Sequence, residues 1–355
     1  MTSPWIARPE LLDADPLAAT GRPVGWGVVS TGSIAAKVTA DIALLPDATL
    51  AAVSSRDAGK AAAFAEQFGF AASYGDDGTR SGLDALLADP AVEVVYVATP
   101  HAQHADVVRA ALTAGKSVLV EKPITINARE ATELAELAQL RGLFLMEAVW
   151  TRFLPAYQRA LQIAASGELG RVHWVNAEVS FPAPADPTAR IWAPADGGGA
   201  LLDLAVYPLL WAWGTIGLPD SVTAVGTLND EGVDAQDALS LTYGSGAQAQ
   251  LTTSLLARSP HTALVCGTEG WLRAEGADSV YRPTRLEVAV GDAPVRVEEF
   301  ELIGSGYVHE LREVVRCVQQ GLTESPVMPL ADSLTTMRLL DGVREQLGIG
   351  YPNDH

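Results

Sequence analysis

From Val24 onward, short runs of β-branched and other apolar residues alternate with Ala-rich stretches of helical period, the rhythm of βαβ units around a parallel sheet. Residues 24–29, 49–54, 92–98, 117–120 and 143–146 are close to continuously apolar, which predicts five strands buried on both faces. Between them, helices are expected over 57–68, 105–114 and 127–141. Each is closed by a glycine (Gly69, Gly115, Gly142) in the place where a left-handed residue ends a helix. After Met146 the texture changes to alternating segments at 172–181, 221–227, 238–242, 248–255, 262–266 and 286–290, which predict a mostly antiparallel sheet. An apolar helix over 199–213 carries Asp203 and Tyr207. A second helix over 307–320 places Val308, Leu311, Val314, Val315 and Val318 on one face, and a last one runs from about 330 to 347. Residues 1–21 keep no sustained period and are expected to form an arm. The fold class is therefore α/β. An N-terminal doubly wound (Rossmann) domain covers 22–147, and a C-terminal α+β domain over 148–355 holds a large, mostly antiparallel, open-faced sheet. The last helix is able to pack back on the first domain.

Composition narrows the function. The 355 residues are 48% hydrophobic and 19% charged, a globular balance, and 43 acidic against 24 basic side chains give a net charge of -19. Such a field repels phosphate backbones and anionic lipid, so neither nucleic acid nor membrane is an expected partner. The N-terminus has no apolar core behind a basic start, and no apolar run is long enough to span a bilayer, which predicts a chain neither exported nor membrane-bound. Cys266 and Cys317 form no CxxC or Cys/His cluster, and the histidines are scattered, so no metal is expected. A reducing, cytoplasmic location fits. No GxSxG elbow supports nucleophilic hydrolysis.

The chemistry-bearing positions fall at the ends of the predicted strands, where open parallel sheets bind ligands. The first strand runs into Ser30-Thr31-Gly32-Ser33-Ile34-Ala35, a variant of GxGxxG/A in which Ser30 replaces the first glycine. Gly32 lets the backbone approach a pyrophosphate, and the following helix N-terminus offers amides and a positive dipole end. The second strand ends in Ser54-Ser55-Arg56-Asp57, where an acidic residue would bind the ribose of NAD. Hydroxyls followed by a guanidinium suit the 2′-phosphate of NADP instead, with Asp57 keeping NAD open and a solvated Arg56 the plain alternative. Thr99, Pro100 and His101 follow the third run, with His104 one turn on, so all four are candidate cofactor contacts. The fourth run leads into Glu121-Lys122-Pro123, which places Glu121 and Lys122 at the same rim.

At this tripeptide the sequence resembles the glucose-fructose oxidoreductase, inositol dehydrogenase and MocA family. It is similar in particular to the branch of dimeric dihydrodiol dehydrogenases and NADP-dependent D-xylose 1-dehydrogenases. Residues 147–153 (EAVWTRF), 197–208 (GGGALLDLAVYP) and 324–330 (ESPVMPL) carry the likeness in the family's order, so that it extends from about residue 24 to 352. The resemblance implies hydride transfer between a nicotinamide cofactor, NADP favoured, and a cyclic polyol such as an aldopyranose or a trans-dihydrodiol. It also implies Lys122 and Tyr207 as the catalytic pair, Tyr207 being the acid/base. Trp150 and Phe153 become the aromatic wall of a substrate pocket, where core packing is the alternative, and Arg190 a substrate-side arginine, with Arg152 a second cation for the cleft. It further implies a homodimer or higher homo-oligomer formed through the open sheet face.

The chemistry agrees with that assignment. Oxidising a secondary alcohol needs a base for the hydroxyl proton while hydride leaves to the nicotinamide. A free phenol titrates at about 10, so Tyr207 needs a nearby positive charge to serve near neutrality, which Lys122 and the oxidised ring would supply. Asp203 and Tyr207, spaced i and i+4, share a helix face, where Asp203 either binds substrate hydroxyls or anchors the helix. Two rivals keep the nucleotide fold. An NAD-dependent glycosidase would release sugar with no net NADPH, and an NADP-binding sensor would have no turnover.

Overall fold

The computed structural model describes residues 7–8, 10–186, 188–276 and 278–354. Of the arm expected over 1–21, residues 1–6 and 9 lie outside the described residues. The chain forms two compact units, one of residues 15–150 with 303–334, the other of described residues up to 14, 151–302 and 335 onward. A single helical turn, α1 (Glu10–Asp13), opens the second of these.

The first unit follows the βα rhythm of the sequence. It contains β1 (Val24–Val29), α2 (Ser33–Ile42), β2 (Ala48–Ser54), α3 (Ala58–Phe68), β3 (Ala72–Tyr74), α4 (Gly82–Leu87), β4 (Val94–Val97), α5 (His104–Thr113), β5 (Ser117–Glu121), α6 (Ala128–Arg141) and β6 (Leu145–Ala148). The strands pair in parallel in the order β3-β2-β1-β4-β5-β6, so the chain reverses its direction of travel across the sheet between β1 and β4. β1 and β4 are buried along their whole length, which is why the sequence shows unbroken apolar runs there. The caps are those the sequence signals. Asp57 and Asn127 accept from the Lys60 and Glu130 amides at the starts of α3 and α6, and Gly69 and Gly142 close the same helices in the left-handed conformation. Three-residue β3 and six-residue α4 are absent from the sequence expectation, being too short for either period to register.

Near the arm, Asp47 is the anchor of this unit. Its carboxylate accepts the Thr20 amide at 2.8 Å and pairs with Arg312 Nη1 at 2.7 Å, while Arg312 Nε donates to the Pro16 carbonyl at 2.8 Å. Burial opposes the Asp47 charge, but the Thr20 amide, Arg312 and Gln319 outweigh it and hold the carboxyl at about 2. A carboxyl held below its unfolded value gives stability that is complete above about pH 4 and lost as pH falls toward 2. Arg312→Ala strands a buried carboxylate and is expected to cost about 3–5 kcal/mol. Urea melts at pH 7 and pH 3 check this, since the difference between wild type and variant shrinks at the lower pH.

The second unit contains α7 (Pro155–Ser166), β7 (Val172–Ser180), α8 (Ala200–Leu204), α9 (Val206–Thr215), β8 (Ser221–Leu228), β9 (Asp234–Thr242), β10 (Gln248–Ser254), β11 (Ala263–Gly267), β12 (Gly270–Glu275), β13 (Arg285–Val290) and β14 (Arg296–Glu299). The strands form one sheet ordered β14-β13-β12-β11-β7-β10-β9-β8, antiparallel throughout except for the β7–β10 pair. Val175, Ala177, Leu239, Leu251 and Val265 are buried on the face covered by helices, and α9 crosses β7, β10 and β11 there. The other face leaves Trp174 41% and Val225 67% exposed, so the sheet is open on one side as expected. The helix expected over 199–213 is broken into α8 and α9 at Ala205. Pro208 has no N–H to give the Leu204 carbonyl, so the helical ladder is interrupted there. The chain ends with α10 (Val308–Gln319), which belongs to the first unit, and α11 (Leu330–Leu347).

Candidate functional site

In the first unit, the ends of β1, β2 and β4 surround a pocket of about 500 Å³. Of the residues picked out from the sequence, Ser30, Thr31, Ser55, Arg56, Thr99 and Pro100 line it. Gly32, Ser33 and Ile34 form the N-terminal end of α2, with Gly32 as its extended N-cap. Ser30 holds a φ of 124°, a conformation that glycine adopts without strain and serine does not. Two hydrogen bonds hold it there: its amide donates to the Ser54 carbonyl at 3.1 Å, and its Oγ accepts the Gly32 amide at 3.1 Å. The serine thus supplies locally the bond that fixes the turn in place of the first glycine.

The pocket also holds residues that the sequence reading passed over, chiefly Lys60, Asp76, Ser81, Leu83, Gln103 and Val107. Lys60 lies in the first turn of α3, and Arg56 immediately before the Asp57 cap, so the strand-to-helix turn brings both to the pocket. Asp57, the residue that kept NAD open, spends an oxygen on the Lys60 amide at 3.0 Å as the helix cap. The pocket wall therefore carries two cations beside a carboxylate already engaged. A helix N-terminus, a turn with no side chain at Gly32 and an Arg/Lys pair fit the pyrophosphate and ribose half of a nicotinamide dinucleotide.

Around the β5 rim the side chains form a tightly packed polar layer. His104 is fully buried, with Nδ1 2.8 Å from the Pro123 carbonyl and Nε2 2.9 Å from the Thr99 carbonyl, so it braces one rim turn against the other. His101 is also buried, its ring 5.7 Å from that of His104. Glu121 accepts the Tyr96 hydroxyl at 2.6 Å, and Glu147 accepts the Ile124 amide at 3.0 Å just beyond the cis Lys122–Pro123 peptide. Burial pushes the Glu147 carboxyl up, against the pull of the Ile124 amide and the Lys122 ammonium toward the anion. The Lys122 ammonium is thus close enough to Glu147 for its charge to act there. The Trp150 ring lies 4.5 Å from that of Tyr307 within this unit.

Glu310, in the first turn of α10, is completely buried and neither carboxyl oxygen has a hydrogen-bond partner. Burial, then the charges of Glu121 and Asp41, push it well above the usual carboxylate range, so folding favours its protonated form. A carboxyl raised on folding stabilises most below its unfolded value and loses that contribution as pH rises. Glu310→Gln, which removes the need to hold a proton, is expected to raise Tm by at least about 2 °C at pH 8 and by less at pH 5, measured by calorimetry.

In the second unit, Asp203 lies on α8, half-buried, and Tyr207 on α9, 8% exposed. The Tyr207 ring packs 5.1 Å from Tyr281. His261 sits behind, with Nδ1 3.2 Å from Asp278 and Nε2 2.6 Å from the Ser180 carbonyl. Burial would raise Asp278, but the Tyr281 hydroxyl, Arg282 and His261 together hold it below the usual carboxylate value. Burial, followed by the Asp278 charge, raises the Tyr281 phenol. His261, before β11, and Asp278 and Tyr281, between β12 and β13, come from two loops with no local sequence signal and were not anticipated. Arg152 and Phe153 are buried, Phe153 completely, whereas Arg190 is exposed in a short 3-10 turn. Among the described residues, no group of His, Cys, Asp and Glu could hold a metal ion. No helix among them is long and apolar enough to cross a membrane.

Two family models match the chain, the oxidoreductase family with NAD-binding Rossmann fold over residues 24–149 and the GFO/IDH/MocA C-terminal domain over 157–273. The chain is 38% identical over 340 residues to the trans-1,2-dihydrobenzene-1,2-diol dehydrogenase of Bos taurus, covering 93% of this chain and 98% of the bovine protein. It is 36% identical over 339 residues to that of Mus musculus, with the same coverage. Among solved structures, a 3-ketoreductase from Actinomadura kijaniata in complex with NADP and TDP-benzene superposes with a TM-score of 0.80 at 28% identity, over 92% of this chain and 98% of that one. The aldose-aldose oxidoreductase of Caulobacter crescentus, complexed with glycerol, superposes with a TM-score of 0.81 at 25% identity and the same coverage. The parallel sheet with its dinucleotide pocket, the open second sheet and these matches agree, and the chain belongs to the GFO/IDH/MocA family of NAD(P)-dependent oxidoreductases.

Proposed function

We propose that the protein is an NADP-dependent dehydrogenase of a cyclic secondary alcohol, a trans-dihydrodiol in the first instance and an aldopyranose in the second. The observation that carries the reading is the likeness over 93% of the chain to proteins named trans-1,2-dihydrobenzene-1,2-diol dehydrogenases. The preference for NADP is supported by Arg56 and Lys60 in the pocket wall and by the engagement of Asp57 as a helix cap. When bound, the nicotinamide supplies the acceptor for hydride. Tyr207 takes the hydroxyl proton, Lys122 favours the phenolate and polarises the substrate oxygen, and Asp203 binds a neighbouring hydroxyl. Trp150, Arg152, Phe153 and Arg190 are assigned to the substrate side, and His101 and Glu121 to the rim beside the cofactor. Two copies associate through the open sheet face, where Trp174 and Val225 are exposed. Sedimentation at micromolar concentration tests that association, and a monomer refutes it.

The direct test follows NADPH formation with NADP or NAD against a panel of trans-dihydrodiols and aldopyranoses. Turnover that prefers NADP supports the reading. Release of sugar from a glycoside without net NADPH selects a glycosidase, and tight NADP binding with no turnover on any member selects a sensor.

A further inference from the structure

The glycine turn that precedes α8 is built around a buried acid at the start of β9. Gly199 has a φ of 117°, and a Cβ placed on it would lie 2.2 Å from Asp234 Oδ1. A Cβ on Gly198 would lie 2.5 Å from the Ile191 carbonyl oxygen, and the Gly198 carbonyl itself accepts the Tyr351 hydroxyl at 2.6 Å. Asp234, at the start of β9, is 0% exposed, and its Oδ2 accepts the Leu201 amide at 2.5 Å, with the Ala200 amide also directed at it. The two first amides of α8 have no partner within the helix, so this carboxylate is their cap.

Asp234 does not stand alone. Asp237, three residues on along β9 and also buried, interacts with it and accepts the Thr253 hydroxyl at 3.3 Å. Two adjacent carboxylates out of water cannot both ionise, and burial together with the Asp234 charge pushes Asp237 up to about 9. Burial raises Asp234 as well, but the Leu201 and Ala200 amides directed at it favour its anion, so Asp237 is the member of the pair that holds the proton more tightly and Asp234 is the one that faces the helix end.

We propose that Asp234 is the positioning residue of the substrate helix: through the Leu201 amide and its contact with Gly199 it fixes the glycine turn and α8, and so the direction of Asp203 and Tyr207. The assignment of a chemical consequence rests on Tyr207 being the acid/base. The positioning itself does not.

The test compares Asp234→Ala, Asp234→Asn and Asp237→Asn in the full-length protein with NADP bound. Amide exchange over residues 198–209 is read by mass spectrometry beside kcat and KM on the trans-dihydrodiol. Loss of a cap is expected to speed exchange in that segment about 10-fold in Asp234→Ala, with the nucleotide-binding unit unchanged. Misplacement of the reacting group is expected to lower kcat by about 10- to 100-fold with KM for NADP unchanged. Asp234→Asn keeps an acceptor oxygen and restores most of both. Asp237→Asn, still a donor to Asp234, leaves both near wild type. Unchanged exchange over 198–209 in Asp234→Ala overturns the inference even if the proposed reaction stands. Faster exchange there with unchanged kcat retains the positioning and removes Tyr207 from the chemistry. Should Asp234→Ala not fold, Gly199→Ala decides, because its Cβ would lie 2.2 Å from Asp234 Oδ1 and displace the carboxylate: faster exchange over 198–209 is expected, and unchanged exchange overturns the inference.

Discussion

Tyr207→Phe is expected to lower kcat for oxidation of the preferred alcohol by about 10²–10⁴-fold, the range that a positioned general base contributes. The phenyl ring keeps the packing against Tyr281, whose ring lies 5.1 Å away, so the second unit should fold normally. What the variant loses is the single atom that holds the transferring proton. Because that interaction is made in the transition state and hardly at all in the ground state, kcat and kcat/KM should fall together, with KM for NADP within about two-fold of wild type. Lys122→Ala should show the same pattern, and if the proposed roles hold, the double variant should show little further loss. The check is steady-state kinetics with NADP binding measured independently by fluorescence. Turnover in Tyr207→Phe within a few-fold of wild type would remove the proposed acid/base, whereas a large rise in KM with kcat intact would make Tyr207 a binding residue only.

The extent to which this site could be read from the sequence follows from how local each part is. β1 and β4 show themselves because strands buried on both faces need apolar residues at every position, and Ser30-Thr31-Gly32 shows itself because a phosphate turn is a contiguous stretch. The start of β9 does not. Its segment Asp234-Ala235-Gln236-Asp237 reads as polar, and the sequence expectation began the strand at residue 238, yet Asp234 and Asp237 are both buried there. A carboxylate buried to cap a helix from another element has no periodic signature, because its partner is 33 residues away in the chain. β12 and β14 were missed for a different reason. On β12, Arg273 and Glu275 interrupt the apolar pattern with charges that pair across the strands, as in the Arg273–Glu287 contact at 2.7 Å, and β14 (RVEE) is short and charged, with Arg296 paired to Glu168 and Glu298. Likewise the helix expected over 199–213 was read from hydrophobicity alone, which does not register the missing amide of Pro208.

The choice between the two nicotinamide cofactors depends on side chains that the fold brings together at the end of β2. Arg56 and Lys60 lie in one pocket wall, and Asp57 is held at the Lys60 amide at 3.0 Å. A 2′-phosphate carries about two negative charges and three acceptor oxygens, whereas the 2′-hydroxyl of NAD offers none of that charge. A hydrogen bond to a charged group contributes about 1.5–3 kcal/mol, so each cation is expected to supply about a 10- to 150-fold preference for NADP. Arg56→Ala and Lys60→Ala should each lower the ratio of kcat/KM for NADP over NAD by about that factor, and the double variant by about 10²–10⁴-fold, with kcat/KM for NAD nearly unchanged. Since these contacts are electrostatic, the wild-type preference should shrink as salt is raised, and that of the double variant should not. Calorimetric binding of each dinucleotide without substrate separates recognition from turnover. An equal loss with NADP and NAD would mean that the two cations hold the shared pyrophosphate. An unchanged ratio in the double variant would place the 2′-phosphate elsewhere on the pocket wall and return Asp57 as the ribose ligand, for which Asp57→Ala with NAD is the matching measurement.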